Sequence, residues 1–301
     1  MSELQAIQGY LTEAGLKFIP VNEQTLGLLF RGDAREQMVV QVSASPDLVI
    51  ALSAAPVKLD DELALQNLLR VTMDADMMKV FSSQNDVMLA CEAPQEHVRK
   101  GSMEGIIRQL VQAVDATPET VHDLDKYQQA VLMGTMLCRQ AAGALYSGPA
   151  AAAIPEYCRA TGIECTKIDE TKFRIHSSGG ILKLNIVVVC RETLVTFLAF
   201  TDLKCTDSRL DFYHRLLDLN RRVNVARVAM DKDGELCFIY EMPGINPGTF
   251  QRAVQTLEQT VALYMMGTEG ATPGAPTPPP APVPAPKPES GGFLSRLFKK
   301  K

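Results

Sequence analysis

The chain repeats itself, and that repeat limits the fold more than any other feature. Laid on itself at an offset of 148 residues, Leu68-Leu69 falls on Leu216-Leu217, Lys79-Val80 on Arg227-Val228, and the turn Gln84-Asn85-Asp86 on Lys232-Asp233-Gly234. Pro94 and Pro243 then agree to within one position of that offset. A period this long is domain-sized, so the chain must build one small fold twice rather than one large irregular fold once.

Apolar periodicity supplies the elements of each copy. In the first, a helix over 4–14 precedes short alternating or apolar runs at 16–21, 25–31, 37–43 and 48–54, which read as strands. An acid-capped helix follows over 60–73, with Leu65, Leu68, Leu69 and Met73 crowding one side, then a strand pair at 77–82 and 86–93 and a helix over 102–114. The second copy gives a helix at 154–161, strands at 164–169, 172–177, 181–190 and 193–200, a helix at 207–220, strands at 225–230 and 235–242, and a helix at 247–264. Ser178-Gly179-Gly180 reads as a hairpin turn. The expected class is α+β, with two tandem copies of a small antiparallel sheet flanked by helices. Between them, Thr117 as a cap and Pro118 in the first turn predict an extra helix to about residue 140, before the small-residue stretch 141–153. Its Val131, Leu132, Met133, Met136 and Leu137 predict that it is buried and bridges the copies.

Beyond the second copy the composition changes. Nine of the eighteen prolines lie between Pro273 and Pro288, so residues 267–292 read as a disordered linker of the semi-rigid, extended kind. The chain then ends Phe293-Leu-Ser-Arg-Leu-Phe-Lys-Lys-Lys301. On a helix, Phe293, Leu294, Leu297 and Phe298 fall within an arc of roughly 140°, with Arg296, Lys299 and Lys300 outside it and Lys301 at the terminus. That is the pattern of a short interfacial helix, with apolar side chains at an acyl boundary and cations toward anionic headgroups. It is far too short to span a bilayer. The expected organisation is therefore a first domain with the bridging helix at 1–142, a second domain at 143–266, the linker at 267–292 and an amphipathic basic tip at 293–301.

Charge separates tail from body. Residues 267–301 hold five basic and two acidic residues, leaving the rest of the chain at −8 for a formal total of −5. An acidic body is poorly suited to a polyphosphate backbone, so no nucleic-acid partner is expected. No apolar stretch follows Met1, which predicts no signal peptide and a cytoplasmic setting. Seven cysteines without a Cys-x-x-Cys pair read as small apolar residues in a reducing compartment, and neither metal nor cofactor is expected.

Chemistry-bearing patterns are absent from the sequence. Asp231-Lys-Asp-Gly234 lacks the remaining ligands of a calcium loop and reads as a hairpin turn. His97, His122, His176 and His214 are scattered, and Asp74-Ala-Asp76 and Arg221-Arg222 read as helix-end residues. Met73, Met77, Met78 and Met88 form a patch for which core packing outweighs an adaptable binding surface. The expectation is a protein without enzymatic activity.

Two resemblances rest on these residues. The order helix, strand hairpin, helix at 60–114 and 207–264 resembles the YbjN and type III secretion chaperone-like domains, over about residues 1–265. That resemblance implies protein partners and dimerisation, here as an intramolecular pseudo-dimer, with a homodimer of the whole chain as a further expectation. Gly292-Phe-Leu-Ser-Arg-Leu-Phe298 is similar to the membrane-targeting sequence of the bacterial division-site ATPase MinD, over seven residues. It implies reversible, avidity-dependent attachment to an anionic membrane, peripheral at its inner face. The candidate binding residues are thus Phe293, Leu294, Arg296, Leu297, Phe298, Lys299, Lys300 and Lys301. The alternative is a cargo or adaptor whose C-terminal peptide is recognised by a shell or scaffold protein.

Overall fold

The computed structural model describes residues 3–98, 100–142, 150–177, 184–191, 194–201 and 209–268. The Ser178-Gly179-Gly180 turn, the linker from residue 269 onward and all of the tip residues from Phe293 to Lys301 lie outside that set; the first two residues expected in the linker, 267 and 268, instead belong to the last helix.

The first copy runs α1 (Glu3–Glu13), β1 (Ile19–Asn22), β2 (Thr25–Phe30), β3 (Met38–Ala44), β4 (Leu48–Ala55), α2 (Glu62–Val71), β5 (Met78–Ser83), β6 (Asp86–Pro94) and α3 (Lys100–Thr120). After α4 (Leu124–Ala142) the second copy repeats the order as α5 (Ala150–Thr161), β7 (Glu164–Lys167), β8 (Lys172–His176), β9 (Asn185–Cys190), β10 (Val195–Phe200), α6 (Arg209–Arg222), β11 (Arg227–Met230), β12 (Leu236–Met242) and α7 (Pro247–Thr268). Each copy forms its own six-stranded antiparallel sheet, in the orders β1-β2-β3-β4-β6-β5 and β7-β8-β9-β10-β12-β11. The two topologies are the same, with the last hairpin inserted beside the fourth strand. An α+β class with two antiparallel sheets is therefore established for the described residues.

Strand patterning explains which faces are covered. In β3 buried and half-buried residues alternate along the strand, the expected reading of a sheet with one dominant core face. By contrast, β11 and β12 are buried at every position. Both faces of that hairpin are covered. Ala229, Cys237 and Ile239 on its second face form a separate small cluster with Met73 of the first copy and Leu198. Helices α2 and α6 each pack against the hairpin of the other copy, so the two copies share one compact unit, Met1–Met265. Of the methionine patch, Met77 and Met78 are buried within it, as core packing predicts, and Met73 and Met88 are half-buried.

The region between the copies differs from expectation. Thr117 caps no helix and Pro118 starts none, because both lie inside α3, which continues to Thr120. The Thr117 hydroxyl instead donates to the Ala113 carbonyl one turn back (2.8 Å). The following helix starts after Asp123, whose carboxylate accepts from the Lys126 amide (3.3 Å). A second difference concerns its apolar face. Tyr127, Val131, Gly134, Thr135 and Cys138 face inward, while Met133, Met136 and Leu137 are exposed. Small residues on both partners explain this. A Cβ on Gly105 of α3 would stand 2.9 Å from the Cys138 backbone, and one on Gly134 of α4 would stand 3.1 Å from the Gln109 Cα. At these two positions the helices lie too close for bulky side chains between them.

Candidate functional site

The buried contact between the copies is built from charged residues at equivalent positions. Lys79 in β5 pairs with Glu92 in β6 (2.6 Å), and Arg227 in β11 pairs with Glu241 in β12 (2.9 Å). Each pair reaches the other copy's helix-to-strand loop. The Lys79 ammonium donates to the Val223 carbonyl (2.7 Å), and Glu92 accepts from the Val225 amide (2.7 Å). Reciprocally, the Arg227 guanidinium donates to the Thr72 and Ala75 carbonyls (3.0 and 2.9 Å), and Glu241 accepts from the Met77 amide (2.6 Å). At the offset of 148, Ala75 corresponds to Val223 and Met77 to Val225. Met77 and Val225 share a left-handed backbone, with φ of 55° and 64°. In this conformation each amide meets the opposite glutamate. The arrangement is that of an isologous interface within one chain, the same patch meeting itself.

Such burial moves the acids in opposite directions. Desolvation pushes the Glu241 carboxyl upward, but Arg227, the Met77 amide and Arg191 outweigh it and hold the carboxyl below its ordinary value. Burial dominates at Asp76 and raises it, against the opposing pull of Arg139. Asp76 is 2% exposed. It takes two hydrogen bonds from Arg139 of α4 (2.6 and 2.7 Å) and one from Arg191 (3.2 Å). Beside it Asp74 accepts from Gln128 of α4 (2.6 Å). The pair read from sequence as helix-end residues is therefore the polar floor of a seat for α4. Only the clustering of two acids after an apolar helix signalled it.

The second copy has the same seat without an occupant among the described residues. Buried Met103, Ile106, Ile107 and Leu110 of α3 correspond to Phe250, Ala253, Val254 and Leu257 of α7, at an offset of 147. On that register Gly105, Gln109 and Gln112 become Arg252, Thr256 and Gln259, while at the offset of 148 that holds for the helix-to-strand loops Asp74 and Asp76 become Arg222 and Asn224. These residues line an open groove of about 350 Å³, with Leu48 and Pro94 of the first copy, Tyr240 and Leu263 among its apolar walls. Gly105 and Gln109 are buried under α4, whereas Arg252 and Gln259 are exposed.

Aromatic residues mark the second copy's core. Ala51 and Cys91 face each other across β4 and β6; Phe197 and Tyr240 do so across β10 and β12. Phe197 meets Phe250 of α7 at 5.6 Å with the rings tilted by 59°, and Phe238 meets Tyr264 at 5.8 Å.

Several of the remaining candidates from sequence have structural roles. His122 contacts Asp61 (2.7 Å), and His214 contacts the Leu59 carbonyl (2.7 Å). Arg221 and Arg222 pair with Asp218 (2.8 and 2.5 Å). Asp231 accepts from the Asp233 and Glu235 amides (2.8 Å each), as a turn residue does, with Gly234 at φ 81°. Among the described residues no group of three His, Cys, Asp or Glu side chains is arranged to hold a metal ion. No described helix is long and apolar enough to cross a membrane. Neither protein-family models nor curated proteins match this chain.

Proposed function

We propose that the protein is a non-enzymatic, protein-binding adaptor of the YbjN or secretion-chaperone kind, carried reversibly to an anionic membrane surface by its C-terminal tip. The observation that carries the binding role is the unequal pair of seats: one holds α4, and its counterpart is open to a partner. The membrane role is supported by the apolar arc of Phe293, Leu294, Leu297 and Phe298 beside Arg296 and the terminal lysines. Four buried apolar side chains at roughly 1.5 to 3 kcal/mol each and four cations at about 1 kcal/mol each stand against an ordering cost of about 1 to 2 kcal/mol per residue. One tip therefore binds weakly, and two tips on one particle bind far more firmly by effective concentration.

Co-sedimentation of the full chain with liposomes of graded anionic content tests this reading. The expected result is binding that rises with anionic lipid, falls with salt, and is lost in Leu297→Glu. Equal sedimentation of the wild type and the variant, or none by either, removes lipid as the tip's target. It would favour recognition of the same peptide by a shell or scaffold protein.

A further inference from the structure

We infer that the open groove on the second copy receives an amphipathic helix from a partner protein, and that this helix carries a carboxylate facing Arg252. The inference rests on the reading of the body as a protein-binding module and specifies the partner's chemistry.

The first copy supplies the template. There α4 lies along α3, places small residues over Gly105 and Gln109, and sends Arg139 down to Asp76. Its seat offers two acids, Asp74 and Asp76, and the occupant answers with an amide and a guanidinium. In the second seat the signs are exchanged. Arg222 and Asn224 replace the two acids, and Arg252 replaces the glycine that α4 covers. The single acidic residue among the groove's lining residues is Asp47.

Arg222 is held by Asp218, outside the groove, at 2.5 Å, so its charge is already partly answered. Arg252 is exposed on α7, and no ion pair to it is found among the described residues. An occupant seated as α4 is seated would bring its residue at the Cys138 position closest to Arg252. A Glu or Asp there completes a charge-assisted contact. Its neighbours one turn away would meet Leu48, Pro94 and Leu263 with apolar side chains, the usual geometry of a helix in a groove. Because Arg252 stands where Gly105 allows close contact, this helix sits further out than α4 does. A basic helix, the protein's own tip included, is disfavoured by the same charges.

The test uses a fluorescein-labelled peptide spanning residues 124–142 with Cys138→Glu, titrated into the full chain and read by anisotropy. Saturable binding is expected, weakened tenfold or more by Arg252→Glu and by the groove-filling Thr256→Trp. A Cys138→Lys peptide is expected to recover binding to the Arg252→Glu protein, which a folding defect would not do. Equal affinity for wild type and Arg252→Glu, or no binding to the wild type, overturns the inference. Binding that emerges only in Leu297→Glu also overturns it, because the groove would then belong to the chain's own tip. Since Arg252→Glu leaves the tip unaltered, unchanged liposome sedimentation separates failure of this inference from failure of the membrane reading.

Discussion

The two copies share an element order, a sheet topology and a reciprocal buried contact, yet they treat the outer face of their last helix in different ways. In the first copy glycines at 105 and 134 let α4 lie against α3, and Asp76 anchors it through Arg139. In the second, Arg252 stands at the glycine position, aromatic residues fill the core beneath α7, and the seat is open. The groups that differ lie on the helix seats; those that correspond lie where copy meets copy. The two copies thus agree in the surface each must bury and differ in one of two equivalent outer surfaces.

The largest effect is expected where the copies are most alike. Arg227 and Glu241 are 1% and 2% exposed at the side chain, and each also bonds the other copy's backbone or a neighbouring strand. Arg227→Met leaves Glu241 buried without its cation and frees two carbonyls, and is expected to cost about 3 to 5 kcal/mol in urea unfolding. Adding Glu241→Leu should recover much of that loss, because a well-packed apolar pair replaces a charged one at little net cost. A cost below about 1 kcal/mol for Arg227→Met would show that the pair does not hold the copies together.

Much of this was legible in sequence, for reasons that can be traced to residues. The equivalence of Lys79 with Arg227 is visible at the offset of 148, because a strand position facing a buried partner retains its chemical type. The elements themselves followed from apolar periodicity, which burial enforces. What sequence could not supply was the identity of partners across the copies. Nothing local to Glu92 names the Val225 amide, which lies 133 residues away. The Thr117-Pro118 pair misled because proline is favoured in the first turn of a helix and costs a backbone hydrogen bond inside one, yet Pro118 lies inside the last turn of α3, which continues to Thr120. Met133, Met136 and Leu137 misled in another way. They suggested an inward face, but the glycines had already claimed the contact by allowing a closer approach.

A middle-sized effect probes the filled seat. Gly105→Ala takes the first step toward the second copy's residue, and its Cβ would meet backbone atoms of Cys138 at 2.9 Å. Backbone cannot turn aside as a side chain can, so α4 must shift along its length. The expected cost is about 1 to 3 kcal/mol, with faster hydrogen exchange in α4 than in α2. Exchange that accelerates equally in both helices would mean that α4 is part of the general core rather than a docked element.

The smallest effect concerns the two left-handed residues, which share a backbone conformation but differ in burial. Val225 is branched at Cβ, lies at φ 64° and is only partly buried at the groove. Met77 lies at φ 55° with 6% exposure in the core. A branched side chain in this region costs roughly 1 to 2 kcal/mol, a penalty that asparagine largely avoids. Val225→Asn should therefore raise stability by about 0.5 to 1 kcal/mol, after the loss of some apolar contact. Met77→Asn relieves less strain, because methionine is unbranched at Cβ, and buries an amide in place of a thioether, so it should lower stability instead. Opposite signs for the two substitutions would confirm that the loops are alike in backbone and unlike in cover. Matching signs would mean that backbone strain or side-chain polarity dominates at both positions, and that the difference in burial between the two seats has little energetic weight.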